Sequence, residues 1–478
     1  MFLGIDLGTG SVKALLLDAA GKVISEASSS YRVHAPHATW AETHPDEWWQ
    51  ATVKAVREAV GNHDVQAVGL SGQMHGTVLI DKNLTVLRPA ILWADTRSKE
   101  QLEHYHRLEP TQRQRLANPI ATGMTGVSLL WLKENEVAIY EQVRWVLQPK
   151  DWLRLKLTGE VAAEPSDASA TLLYDLEKDT WANDIAESLE LHSTYLAPLL
   201  KSRGIAGHLT QKSATELGLS ANIPVATGAG DAAASALGSA LLSEGQVQVN
   251  IGTAMQIFAI RGKAKVDPTL RTHLYRSSLD NYYAMAAMQN AGIALEWVRK
   301  ILSMSWDEMY TEAFKISAGC EGVTFLPYLT GERTPHLDPN ARGIWNGFGL
   351  NHERGHLARA AFEGVAFALK DGLKALEDTS VHADSLRLAG GGTLQPHWRQ
   401  LLADVLEKPL DAVSVVSSSA RGAALLAGLS VNAFSLEDIV AFTPKPERVA
   451  ESVKDEGLET AYQTFRQLYR NVKNLNRV

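Results

Sequence analysis

The chain has 478 residues, more than one hydrophobic core usually organises, so two or three domains are expected. An apolar share of 45% and a charged share of 21% are those of a globular protein, and a net charge of −8 with both signs interspersed argues against a nucleic-acid surface, which would need a basic face. Cys320 is the sole cysteine, which excludes an intramolecular disulfide and fits a reducing, cytoplasmic setting. Asp6 interrupts the first apolar stretch and no basic segment precedes it, so no secretory leader is predicted. The longest run of small apolar residues, 223–242, carries Asp231 and is too weak to span a bilayer.

In chain order, residues 2–7 are predicted as a buried strand carrying Asp6 and running into a Gly8-Thr9-Gly10 turn. Residues 12–17 return as a second strand, and Asp18-Ala19-Ala20-Gly21 turns into a third. Such a turn converges backbone N–H groups on one point, where an anion such as phosphate binds. Asp6 beside it could complete the oxygen shell of Mg²⁺. The same residues also fit an ordinary glycine-turn hairpin. Residues 45–59 are predicted as a helix opened by Thr43 or Asp46, with Pro45 in the first turn. Residues 65–70 form a strand that runs into Ser71-Gly72-Gln73-Met74-His75-Gly76, and residues 77–81 form the next strand. Helical sequence occupies 97–116 and 127–140.

Near Leu242-Ser243-Glu244-Gly245 the pattern begins again. Residues 246–256 read as a strand, a Gly252-Thr253 turn and a returning strand through Ile260. Residues 386–392 run as a strand into glycines, with a helix over 393–406 behind them. Two similar α/β halves would place one anion-binding turn on each side of a cleft. Residue identity between the halves is too low to establish duplication. A last helix is expected over 458–472.

Two motifs are decoys. His352-Glu353-Arg354-Gly355-His356 matches HExxH, but zinc chemistry needs both histidines on one face of a continuous helix. Here a glycine-rich loop precedes the match and Gly355 lies inside it, so the helix is expected to begin around His356. Gly228-Ala229-Gly230-Asp231-Ala232-Ala233 fits GxGxxA after a strand at 224–226. No acidic residue follows at the ribose position, and Asp231 would face the pyrophosphate. Asp231 instead opens an Ala-rich helix over 232–242. It either caps that helix or presents a carboxylate on a rigid helix end, able to accept a hydroxyl proton during phosphoryl transfer; the two roles are compatible. His75, flanked by Gly72 and Gly76, either is structural or hydrogen-bonds a polyol. No GxxxxGK[ST] is present, so an ATP site would have to use the paired hairpins.

The blocks GIDLGTGSVK, WAETHPDEWW, GLSGQMHG, LWADTR, PKDWLRLKLTGE, SDASAT, GAGDAAAS, NIGTAM, FLPYLTGERTP and LAGGGTLQPHWRQLLADVL occur in order from Phe2 to about Gly428. Together they resemble the FGGY carbohydrate kinases, and within that family look closest to the xylulokinase branch. The resemblance implies an α/β fold of two duplicated actin-like ATPase (ribonuclease H-like) domains around a central cleft. Residues 1–244 would form the domain holding the sugar site, the first phosphate hairpin and the catalytic Asp. Residues 245–478 would form the nucleotide-binding domain with its C-terminal helix. By position, Asp6 matches the metal- and phosphate-associated aspartate, and Gly8 and Thr9 the first phosphate turn. Met74 and His75 match the pair lining the sugar site, and Asp231 the catalytic base, which also touches the sugar. Gly252 and Thr253 match the second phosphate turn, Gly391 and Gly392 the nucleotide loop, and residues 327–335 a signature of no assigned role.

Three departures bear on the sugar: Ala232 stands where Asn usually follows the catalytic Asp, Ser128 where Lys is usual, and Ser417–Gly422 differs near the nucleotide side. The resemblance implies ATP- and Mg²⁺-dependent phosphorylation of a terminal hydroxyl of a ketopentose, foremost D-xylulose at O5. Ribulose, a heptulose or gluconate are alternatives. A degenerate sugar- or nucleotide-binding sensor is opposed by intact Asp6, Thr9 and Asp231, and an actin-like assembly protein by the sugar-side motif SGQMHG. The implied partners are a small sugar and ATP, with no nucleic acid and no membrane, and a homodimer is admitted.

Overall fold

Two seven-stranded sheets that share a six-strand order are built from the alternating strands and helices. In the first, β1 (Phe2–Leu7), β2 (Ser11–Leu17) and β3 (Val23–Ser30) form an antiparallel meander. β4 (Ala67–Gly72) lies parallel to β1 on its other side. β5 (Ile205–His208) and β6 (Pro224–Ala226) complete the order, β6 parallel to β4 and β5 antiparallel to β6. The two-residue strand β7 (Ala229–Gly230) pairs with the end of β4.

The second sheet repeats this plan. β8 (Val247–Ile251), β9 (Met255–Arg261) and β11 (Tyr282–Met288) form the meander, with β10 (His273–Arg276) added at its edge. β12 (Leu386–Ala389) runs parallel to β8 as β4 does to β1. β13 (Leu410–Ala412) is parallel to β12, and β14 (Glu447–Ala450) antiparallel to β13. The duplication that residue identity does not establish is therefore visible as topology. The computed structural model describes residues 1–475, so the expected second domain, 245–478, includes three residues outside the described ones.

The helices that position the site are α1 (Pro45–Val60), α2 (Pro149–Thr158), α3 (Asp231–Gly238), α4 (Gly292–Ile301), α5 (Arg354–Glu377), α6 (Pro396–Leu406), α7 (Ser418–Ser430) and α8 (Glu456–Val472). Although α7 comes late in the chain, it packs on the first sheet. Gly4 on β1 and Gly69 on β4 permit this, because a Cβ at either would collide with the α7 carbonyls of Ala420 or Ala423. α7 also crosses α3 with backbone against backbone: a Cβ on Gly422 would strike the Ala234 carbonyl, and one on Gly238 the Ser418 carbonyl. The Ala/Gly composition of both helices is the local reason for this approach.

Several element ends differ from the sequence reading for identifiable reasons. α1 is capped by His44, whose Nδ1 accepts from the Asp46 N–H at 3.3 Å, rather than by Thr43 or Asp46. The expected 97–116 helix is two short ones, Leu102–His106 and Pro110–Leu116, because Pro110 can occupy only a first turn. Likewise α6 starts at Pro396 rather than Thr393. α3 starts at Asp231 and stops at Gly238, short of Leu242. α8 buries Leu458, Tyr462, Phe465 and Tyr469 along one stripe. At the HExxH match, α5 begins at Arg354, so His352 lies outside it. His356 Nδ1 accepts from the Glu353 N–H at 3.0 Å and His352 Nδ1 from Gly349 N–H at 2.7 Å. The two imidazoles therefore serve the helix start and do not share a helical face. No helix among the described residues is long and apolar enough to cross a membrane.

Candidate functional site

Asp6 lies near the end of β1, opposite Lys13 on β2 and Ser71 on β4. Ser71 Oγ donates to its Oδ1 at 2.9 Å. Burial pushes the Asp6 pKa up, against the Ser71 bond and the Lys13 charge. The turn that follows is closed by Gly8 N–H donating to the Ser11 carbonyl at 3.0 Å. From its outer side the Gly8 carbonyl accepts the Tyr31 hydroxyl and Gln73 Nε2. Thr9 Oγ1 accepts from the indole Nε1 of Trp93 at 2.9 Å, and that ring is 39% exposed. In the sequence the one signal for Trp93 is its place in the LWADTR block, which by itself gives it no role.

Asp231 reaches Asp6 through sheet pairing. β7 adds to β4 at Ser71 and Gly72, on the side away from β1, so the first residue of α3 stands one strand across from the β1 end that carries Asp6, within reach of its charge. Asp231 Oδ1 accepts from the Ala232 N–H at 2.7 Å. Burial first, and the Asp6 charge second, raise its pKa to about 7.

A buried ionic network holds the turn. Gly230 N–H donates to Ser166 Oγ at 3.0 Å, and Ser166 Oγ to Glu164 Oε1 at 2.8 Å. Arg154 Nη1 donates to the Thr227 carbonyl at 2.7 Å and to Asp151 at 2.8 Å. Lys150 Nζ lies 2.7 Å from Asp151, 3.1 Å from Glu164 and 3.0 Å from Asp167, all fully buried. Burial lowers the Lys150 pKa, but the Asp151, Asp167 and Glu164 charges outweigh it and hold the ammonium above its ordinary range. Asp167 is pushed up by burial. From the other side, Ser419 Oγ on α7 donates to the Asp231 carbonyl at 3.2 Å, and Ser418 Oγ lies 2.7 Å from Ser235 Oγ. The Ser417–Gly422 departure, expected near the nucleotide side, thus lies against the helix of Asp231.

Met74 and His75 occupy the turn after β4. His75 has φ of +70°, and its Nδ1–H donates to the Ala170 carbonyl at 2.7 Å. Burial lowers its pKa to about 4, against that bond and helped by the charge of Arg333. The imidazole is therefore neutral near pH 7, with Nε2 as an acceptor. Met74 Sδ accepts from the Tyr283 hydroxyl at 3.6 Å, and a Cβ on Gly230 would come within 2.8 Å of Met74 Cγ. Met74 thus lies against the glycine preceding Asp231. Ser128, in place of the family Lys, is buried, and its hydroxyl has no partner among the described residues.

The second hairpin turn is exposed at Gly252 and Thr253. Their carbonyls accept from Gly292 N–H at 3.0 Å and Ile293 N–H at 3.1 Å, which seats the turn against the start of α4. Gly390, at φ +98°, and Gly392 close over Ile251 at the end of β8, so the Gly391–Gly392 loop stands next to that turn. The predicted residues thus fall into two groups: Asp6, Gly8, Thr9, Met74, His75 and Asp231 at the first sheet, and Gly252, Thr253, Gly391 and Gly392 at the second. Among the described residues no hydrogen bond links the groups directly.

The Asp6 carboxylate beside the Gly8–Thr9 turn suits a hard cation that takes one or two protein oxygens and completes its shell with phosphate and water. No cluster of three or more His, Cys, Asp and Glu forms a protein-only cage among the described residues.

Comparison with known proteins gives a consistent result. The profile of the FGGY family of carbohydrate kinases, N-terminal domain, matches residues 1–238, and that of its C-terminal domain matches residues 247–431. A xylulose kinase of Escherichia coli (strain K12) is 36% identical, over 99% of both chains. A gluconokinase of Bacillus subtilis (strain 168) is 27% identical over 99% of this chain and 95% of its own. Among solved structures, a Brucella ovis protein described as a xyloylose kinase superposes with a TM-score of 0.93 at 34% identity, covering 99% of each chain.

Proposed function

The chain belongs to the FGGY family of carbohydrate kinases, and from that premise we propose that it transfers the γ-phosphate of ATP to the O5 hydroxyl of D-xylulose. The observation that carries the proposal is Asp231. It is a carboxylate on a rigid helix start, beside Asp6, with its pKa raised to about 7 by burial and by the Asp6 charge. A general base works best with a pKa near the operating pH. In this reading Asp231 accepts the proton of the attacking hydroxyl, and Met74 and neutral His75 line the sugar. The backbone turns at Gly8–Thr9 and Gly252–Thr253 hold phosphates, and Gly391–Gly392 borders the nucleotide. Asp6 would hold Mg²⁺, which when bound with ATP neutralises phosphate charge. Closing the halves on the sugar would exclude water, the competing acceptor. A cytoplasmic setting belongs to the same proposal and is supported by the lone, buried Cys320.

Full-length similarity to xylulose kinases supports the pentulose. Ala232 favours a second reading, because it cannot supply the hydrogen bond that the usual Asn would make to a ketose; the acceptor is then another polyol such as gluconate. The test is ADP release with D-xylulose, D-ribulose, a heptulose and D-gluconate as acceptors. D-Xylulose is expected to give the highest kcat/KM, and no sugar-stimulated turnover with any of them would overturn the proposal.

A further inference from the structure

The loop that contains the signature at 327–335 has no part in the chemistry above, yet it is fastened to the sugar side of the cleft. Glu332 is buried, and its Oε1 accepts from Gln289 N–H at 2.8 Å. Thr334 N–H donates to the Ala287 carbonyl at 3.0 Å, Ala287 N–H returns a bond to Thr334 Oγ1 at 3.2 Å, and Asn290 Nδ2 donates to the Gly331 carbonyl at 2.7 Å. These bonds pin the loop to the end of β11. Ala287 and Tyr283 lie on the face of β11 that shares a core with Met74, Ala229 and Ala233 of the first half.

Between buried Glu332 and buried Thr334, Arg333 alone is exposed. Among the described residues its guanidinium makes no hydrogen bond and no ion pair, whereas nearby Arg271 and Arg276 pair with Asp267 and Asp179. Its charge acts on His75, His273 and Tyr275 as well as on the adjacent Glu332 carboxyl, while the charge acting on Asp231 is that of Asp6. Arg333 is thus carried by a loop fastened to the strand that packs against Met74, with its charge within reach of His75. The His75 ring lies 6.2 Å from that of Tyr275, and Tyr275 stacks on His273, so these rings form one wall. A fork of N–H donors that makes no hydrogen bond or ion pair of its own, on a loop pinned beside a wall holding a neutral imidazole, is complementary to a polyol: one hydroxyl can accept from the first and donate to the second.

We propose that Arg333 is a sugar-binding residue supplied by the second half, donating hydrogen bonds to oxygen atoms at the end of the acceptor remote from the phosphorylated hydroxyl. This rests on the kinase reading, and it gives the second half a direct contact with the sugar, so that closure depends on sugar being present.

The experiment begins with wild-type kinetics, which identify the preferred acceptor and so test the kinase reading separately. With that acceptor, Arg333→Met is expected to raise the sugar KM about tenfold or more and Arg333→Lys to recover part of the loss, with the KM for ATP unchanged. An unchanged sugar KM, or a rise confined to the KM for ATP, overturns the proposal; the latter would assign the guanidinium to the phosphates. A second measurement does not depend on how variants fold. In the wild-type protein, the sugar without nucleotide should protect Arg333 from an arginine-specific dicarbonyl reagent, read by peptide mass. Full modification at saturating sugar overturns the proposal equally.

Discussion

Replacing Asp231 by Asn should remove activity and add stability at the same time. Burial and the neighbouring Asp6 charge raise its pKa from 3.8 to about 7. A folded-state pKa above the unfolded one means that the native state holds the proton more tightly. The associated stability is complete below the unfolded value and is lost as pH rises through the folded value. At pH 8 the charged carboxylate therefore costs the protein up to about 4 kcal/mol, at about 1.4 kcal/mol per pH unit between the two values. Asn, being neutral, does not incur that cost. Chemical unfolding without Mg²⁺ or nucleotide should show Asp231→Asn more stable than wild type at pH 8, with the gap shrinking toward pH 5. In coupled ADP-release assays kcat should fall by roughly 10²–10⁴, the range for loss of a general base. Wild-type kcat/KM should drop about tenfold between pH 8 and pH 6 as Asp231 is protonated, while the variant loses this dependence. A variant that keeps full activity, or is less stable than wild type at pH 8, would refute the proposal that Asp231 is the proton acceptor, destabilised when charged by burial and by Asp6.

Gly422→Ala tests the crossing of α7 with α3. Helix propensity alone would favour Ala by about 1 kcal/mol, but the new Cβ meets the Ala234 carbonyl. A net loss of about 1–3 kcal/mol in unfolding free energy, with a lower kcat from displaced Asp231, is expected. Lys150→Met leaves Asp151, Glu164 and Asp167 with only Arg154 as a buried cation and should cost about 3–5 kcal/mol, read as a lower unfolding midpoint. Ala232→Asn should raise kcat/KM for D-xylulose by the worth of one hydrogen bond, about 0.5–1.5 kcal/mol, and a decrease would point to a different acceptor.

Local chemistry alone determined a good deal of this protein. The apolar strand before Gly8-Thr9-Gly10, its echo before Gly252-Thr253, and the glycine turn into Asp231 are each encoded within a few consecutive residues. Backbone sterics and turn chemistry act over the same short range. The two decoys could be discounted for the same reason: Gly355 and the preceding loop argue against a continuous zinc helix, and Asp231 against a pyrophosphate.

Other features depend on contacts between residues far apart in sequence, which no local pattern announces. The Asp231 carboxyl is raised to a pKa of about 7 first by its burial at the start of α3 and second by the Asp6 charge, and both follow from β7 adding to β4. Gly4 and Gly69 read as parts of ordinary apolar strands, and only the seating of α7 shows that a side chain there has no room. The charges of PKDWLRLKL match the polar face of an exposed helix, yet Lys150, Asp151 and Arg154 are fully buried against Glu164 and Asp167. Desolvation and charge pairing are properties of the assembled fold. Short-range chemistry is enough for the turns, most of the elements and the family; which charges are buried, which carboxylates act on one another and which arginine makes no ion pair follow from long-range packing, because burial and charge pairing exist only in the assembled fold.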